Sequence, residues 1–298
     1  MATTKIQAAP QTAKRSFSAG SVISAIGRWI VRNRIYLIAF AIPAVLTYLA
    51  YALFGLYPFG EESVLCLDLN GQYVYYFEAL RDAFWGDGSI FYNWSRNLSG
   101  EFMGIIGYYL ASPFTLIVML LPEKFMLSSL LIMQLCKLGA AGATFNYFLQ
   151  KRRGVQPYPS LLFSTMYAMM AYGVIQLIDP MWLDGLVFLP LIMLGIEYLV
   201  DDGRRLNFII PLALMCVANF YIGYMICFFV ILYFLFYLCF GSDKKRKGYD
   251  YFTTFVRIAY SSVIALACAA FMLLPVYNAL KLGKFEFTDP DYSFRFQS

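Results

Sequence analysis

Seven stretches of this chain carry too little charge to lie in water. The first, Tyr36–Tyr57, runs 22 residues without a Lys, Arg, Asp or Glu. At ~1.5 Å per helical residue it covers a hydrocarbon core of ~30 Å. Further apolar runs fall at about 104–121, 125–149, 160–178, 183–200, 207–240 and 255–277. Backbone in lipid must satisfy its own hydrogen bonds, so runs of this kind read as helices. Composition agrees: 60% of the 298 residues are apolar and 14% charged, against about 45–50% and about 25% in soluble domains. The fold class expected is an all-α polytopic membrane protein with about seven transmembrane helices and a long first outer loop.

The basic residues orient the map. Arg28, Arg32 and Arg34 precede the first run, and the clusters Lys151-Arg152-Arg153, Arg204-Arg205 and Lys244–Lys247 separate later ones. Lys and Arg at helix ends mark the cytoplasmic side, so all four belong inside, with the N-terminus cytoplasmic. A cytoplasmic Lys151 cluster allows only one crossing between residues 104 and 149. The run 104–121 is broken at Ser112-Pro113 and carries Tyr108 and Tyr109, so it reads as re-entrant or interfacial. The 34-residue run 207–240 has basic clusters at both ends and reads as two short helices turning near Asn219–Gly223. The segments are then a basic tail (1–35, with 1–27 disordered), a first span (36–57), an outer loop (58–124), a bundle of about six spans (125–277) and an outer C-terminal stretch (278–298). On this map 16 of the 23 basic residues are inside and 13 of the 18 acidic ones outside. The net charge of +5 is topological and calls for no nucleic acid.

There is no histidine. That excludes Ser-His-Asp and Cys-His nucleophile systems and histidine-held metals, and leaves carboxylates, Lys, Arg, Tyr or an oxygen-held metal. The six cysteines form no CxxC pair and all but Cys66 lie in apolar runs, so a disulfide framework is not expected. The carboxylates therefore matter most. Asp68 falls just after the first span and before Tyr73, Tyr76, Phe77, Leu80 and Phe84, which are spaced as the apolar face of a surface helix. It can act as a general base toward a hydroxyl acceptor beside a membrane-anchored substrate, or simply cap the helix. In the short second outer loop, Asp179 and Asp184 can hold a divalent cation or place the acceptor, or be ordinary helix-end charges.

The order of tail, span, long outer loop with an early Asp, aromatic surface helix and Pro-containing interfacial segment resembles the GT-C class of polyprenyl-phosphate-sugar glycosyltransferases. More closely, LDLNGQYVYYFEALRD, FYNWSRNLSGEFMGIIGYYLASPF, MWLDGLVFLPLIMLGIE and ANFYIGYMICFF resemble the bacterial YfhO family of membrane proteins. The resemblance implies a GT-C-like fold and an enzyme that moves sugar from an undecaprenyl-phosphate carrier to a cell-envelope polymer such as teichoic acid on the outer face of a bacterial membrane. It implies that Asp68 is the base, with Asp179 or Asp184 as second acidic position. Family members are considerably longer, so the chain is expected to represent the N-terminal portion. The rival readings are a lipid or solute transporter, and a non-catalytic fragment.

The leaving phosphate needs cations. Arg81, Arg96 and Lys137 are the candidates. Arg81 has an alternative surface ion pair with Asp82 or Glu78. Lys137, about ten residues deep in a span, has an alternative partner in a carboxylate. Gly139–Ala143 suits close helix packing. Trp94 is a candidate for sugar stacking, although interfacial anchoring explains most of the collar Trp85, Tyr92, Trp94, Tyr108 and Tyr109.

Overall fold

The computed structural model describes residues 19–94, 100–244 and 247–283. It is almost wholly helical, with one two-residue hairpin, β1 (Tyr92–Asn93) against β2 (Gly100–Glu101). Among the described residues five helical stretches are long and apolar enough to cross a membrane: Ser24–Leu53, Glu123–Arg152, Pro180–Asp202, Phe220–Gly241 and Gly248–Lys281. The all-α polytopic class stands.

Helix α1 (Ala19–Leu53) starts well before the apolar run. The second half of the polar tail therefore joins the helix, and Arg28, Arg32 and Arg34 ride on it. Its 35 residues extend roughly 50 Å, beyond any hydrocarbon core. Against it lies α5 (Met126–Arg152). The expected close approach is made by Gly139 and Gly142, where a β-carbon would collide with Phe40 and with the Ala39 carbonyl respectively.

The run 160–178 departs from the expected single span. It forms α6 (Pro157–Ala168) and α7 (Ala171–Ile175), broken at Met169-Met170, and neither piece has spanning length. A short turn over Pro180–Trp182 leads into α8 (Leu183–Asp202), the most deeply packed span. The run 207–240 divides as expected. Helix α9 (Leu206–Ala218) stops at Asn219, whose side chain accepts the Ile222 amide and caps α10 (Phe220–Phe236). With 13 residues, α9 covers only ~20 Å. Helix α11 (Gly248–Gly283) closes the bundle.

The bundle thus has a tail end, where the basic clusters lie, and a loop end, where residues 58–124 lie. At the tail end the basic cluster also does structural work. Glu197, fully buried, accepts Arg152 Nε at 2.9 Å, Arg153 Nη2 at 2.6 Å and the Tyr233 hydroxyl at 2.5 Å. Asp201 accepts from Arg152, the Tyr237 hydroxyl and the Ser242 hydroxyl. These bonds tie α5, α8 and α10 together.

At the loop end, α2 (Val74–Trp85) does not simply lie along a membrane surface. Tyr73, Val74, Phe77 and Leu80 are buried against Phe102, Ile105, Ile106, Leu110 and Val118, while Phe84 stays exposed. The segment 104–121 is broken, as expected for a re-entrant or interfacial piece. It consists of α3 (Met103–Ile105), one π-helical turn (Ile106–Leu110), a gap at Ala111–Pro113 and α4 (Thr115–Leu120). It is held close to α11 because Gly107 has no side chain; a β-carbon there would collide with Val276.

Candidate functional site

The loop end gathers three residues far apart in sequence. Leu69–Tyr73 forms a single π-helical turn, closed by the Val74 amide on the Leu69 carbonyl. Its i→i+5 geometry carries Tyr73 back over Asp68. The Tyr73 hydroxyl lies 3.3 Å from Asp68 Oδ2 and 2.8 Å from Asp179 Oδ1. Asp179 comes from the turn before α8, 106 positions later. One phenol therefore joins the two carboxylates chosen from the sequence.

The two carboxylates are not equivalent. Asp179 is half-buried and is the nearer acceptor of the single phenolic proton, whereas Asp68 is exposed. Asp68 makes no side-chain cap to the following helix, so the capping alternative falls away. Leu67, just before it, sits at φ 48°, in the left-handed region that costs a leucine roughly 1–2 kcal/mol. Burial, then the bond to Asp179, pushes the Tyr73 phenol far above the usual tyrosine range, so it stays protonated and remains a donor.

Aromatic rings wall the pair. Tyr109 packs on Tyr73 and Tyr76 with ring centroids 5.0 and 5.1 Å apart, and burial raises its phenol to about 12. Tyr108 touches Tyr109, accepts Trp182 Nε1 at 3.3 Å, and has its backbone carbonyl held by Asn219 Nδ2 at 2.8 Å. The interfacial segment, the turn before α8 and the α9–α10 junction thus converge on one place.

The other sequence candidates lie elsewhere. Asp184 is not an exposed helix-end charge. It is fully buried, 2.8 Å from Lys137 Nζ, and its second oxygen accepts the Ser112 hydroxyl at 2.8 Å. Lys137 also donates to the Pro180 carbonyl at 2.8 Å. The carboxylate alternative for Lys137 is therefore the one realised. Arg81 pairs neither with Asp82 nor with Glu78. Its Nη1 binds the carbonyls of Val118, Met119 and Leu121, the unsatisfied C-terminal groups of α4. Trp94 is 79% exposed beside Tyr92 on the hairpin, with no contact to the carboxylate pair. Arg96 lies outside the described residues.

Among the described residues no three Asp, Glu or Cys side chains cluster as a metal-holding group. Asp68 and Asp179, which share the Tyr73 phenol, are the oxygen groups there to which a hard divalent cation could be bound, with substrate phosphate and water completing its shell. Tyr73, Trp182, Asn219 and Ser112 were not singled out as site residues from the sequence. For Tyr73 the available signal was its five-residue offset from Asp68, legible only if a π-turn is assumed.

Fold and site together define a multi-pass α-helical membrane protein with a carboxylate pair at one end of the bundle. The family model described as "Bacterial membrane protein YfhO" matches residues 39–298, and the chain belongs to that family. It is 27% identical over 168 residues to "Uncharacterized protein YfhO" of Bacillus subtilis (strain 168), a match covering 50% of this chain and 19% of that protein. No solved structure matches.

Proposed function

We propose that the protein is a membrane glycosyltransferase that moves a sugar from a polyprenyl-phosphate carrier to a hydroxyl of a cell-envelope polymer such as teichoic acid. The supporting observation is the Tyr73 hydroxyl joining Asp68 to Asp179 at the loop end. Asp68, exposed and free of a capping bond, is the base. It takes the proton of the acceptor hydroxyl as that oxygen bonds to the anomeric carbon, the sugar–phosphate bond breaks, and the lipid phosphate leaves with the electron pair. Attack opposite the leaving group inverts the anomeric centre. Tyr73 keeps Asp179 in place and lends its dipole to the charge on both carboxylates.

Neither Arg81 nor Lys137 is available to the phosphate, since each is occupied by groups of the protein itself. Among the described candidates no cation is left for it; Arg96, outside the described residues, or a divalent cation held by Asp179 would supply the positive charge. On this reading the loop end faces out and the N-terminus lies in the cytoplasm of a bacterial cell. In a transporter Lys137 would be the natural coupling charge, and its bonds to Asp184 and the Pro180 carbonyl argue against that role.

The test is transfer of labelled sugar from an undecaprenyl-phosphate donor to wall polymer in membranes carrying the protein or its Asp68→Asn variant. Loss of transfer with retained folding supports the assignment; unchanged transfer refutes Asp68 as base. Counterflow of unmodified substrate in liposomes would favour a transporter instead.

A further inference from the structure

A second feature lies near the opposite end of the bundle, away from the carboxylates. Between α5, α8 and α9 runs a groove of about 290 Å³, lined by Tyr147, Leu191, Leu194, Leu206, Ile210 and Leu214 among others. Along α9 it extends from Leu206 to Leu214, about 12 Å at ~1.5 Å per residue. Leu206, Ile210 and Leu214 are 67%, 54% and 46% exposed on its rim. On a short apolar helix packed within a membrane bundle such exposed side chains face lipid, so the matter nearest the groove is acyl chain.

Its mouth is basic. Lys151 Nζ sits 5.7 Å from the ring centre of Tyr147, a groove residue. Arg204 and Arg205 immediately precede Leu206, the first groove residue of α9, and the Arg205 guanidinium packs 5.9 Å from the Tyr260 ring of α11, at the edge of the mouth. The Arg204 guanidinium lies 5.4 Å from the Tyr198 ring, which also carries Arg152, the neighbour of Lys151, at 5.2 Å. Lys151, Arg204 and Arg205 are exposed, and none makes an ion pair among the described residues. Arg152 and Arg153, by contrast, are spent on Glu197 and Asp201.

An apolar groove of chain-like shape that opens at unpaired cations matches one chemistry. We propose that it binds an anionic phospholipid of the leaflet at the tail end, one acyl chain in the groove and the phosphate between Lys151 and Arg204, with Arg205 adding its charge from the edge. The site is independent of the carboxylate pair, and binding there would steady the short α9, whose far end positions Asn219 against the Tyr108 carbonyl.

Native mass spectrometry of the full chain in mild non-ionic detergent, with phosphatidylglycerol and phosphatidylcholine of equal chain length in competition, tests this. The expected result is a retained phosphatidylglycerol adduct. The triple variant Lys151→Gln/Arg204→Gln/Arg205→Gln should lose roughly 100-fold of the preference, at roughly five-fold per base. Ile210→Trp, which fills the groove at a lipid-facing position, should remove the adduct while leaving the melting temperature of the lipid-free protein unchanged. Neutralising Lys244 and Lys247 instead should leave the preference intact. Equal retention of both lipids, a preference insensitive to the triple variant, displacement of the phosphatidylglycerol adduct by inorganic phosphate alone, or a lipid-free dimer using this face would each overturn the proposal.

Discussion

Lys137 and Asp184 form a charge pair with almost no access to solvent, at 1% and 0% exposure. Asp184 receives Lys137 Nζ on one oxygen and the Ser112 hydroxyl on the other, while the ammonium also holds the Pro180 carbonyl. Replacing Lys137 by Met leaves a carboxylate buried with one hydroxyl partner, and replacing Asp184 by Leu leaves an ammonium with one carbonyl. Each loss strands a charge, at about 3–5 kcal/mol. The double variant Lys137→Met/Asp184→Leu strands none. It leaves the Pro180 carbonyl and the Ser112 hydroxyl short of a partner, at about 1–3 kcal/mol each, and gains apolar packing in return. The double variant should therefore be more stable than either single one, a strongly non-additive cycle. Unfolding in mixed micelles gives the four free energies directly. Additive losses, near twice a single one, would refute the claim that the pair is a mutually dependent unit. A second readout follows from Pro180, which adjoins Asp179: without the Lys137 ammonium the turn loosens, so sugar transfer should fall in the double variant even though stability recovers.

Tyr73→Phe keeps the ring against Tyr109 and removes only the hydroxyl. A hydrogen bond to a charged group contributes about 1.5–3 kcal/mol to stability, so the unfolding free energy should fall by up to that amount, and transfer should fall as Asp179 loses the phenol that holds it; unchanged stability and transfer would refute the role given to the hydroxyl. Arg81→Met should destabilise the protein by about 1–3 kcal/mol by orphaning the Val118 and Leu121 carbonyls, while donor affinity, read from the concentration dependence of transfer, stays the same; a selective loss of affinity would return Arg81 to the phosphate. Gly107→Val should push the interfacial segment off Val276 and lower both stability and transfer, with hydrogen exchange rising at residues 103–110. Leu67→Gly should relieve the left-handed conformation and raise stability by about 1 kcal/mol, measured by the same unfolding assay.

Much of the fold was legible because lipid permits few backbone solutions. The spans near 36–57, 125–149, 183–200 and 255–277, the break at Ser112-Pro113 and the turn at Asn219 all follow from local composition. The run 160–178 crosses from the tail end, where Ser160 meets Asn146, to the loop end, where Asp179 meets Tyr73, but in two helical pieces; apolarity is shared by one helix and by two short ones, and only Met170 in an extended conformation reveals the break. At the site, Asp68 and Asp179 were recognisable as loop carboxylates, but their junction through Tyr73 was not. Arg81 misled for a related reason: its neighbours along α2 are acidic, yet its partners are carbonyls nearly forty residues away.

The amino-acid sequence by itself determined that the chain is a multi-pass helical membrane protein, where most of its helices lie, and that no histidine is present for acid–base or metal chemistry. Those properties depend on residue type and local run length. Tertiary structure alone decided which charges are spent and which remain free. Asp184, Arg81, Arg152 and Arg153 look as available in the sequence as Asp68, Lys151 or Arg204. Burial makes a lone charge costly, so it must find a partner wherever the packed helices bring one, and that partner lies 47 positions away for Lys137 and 106 for Tyr73.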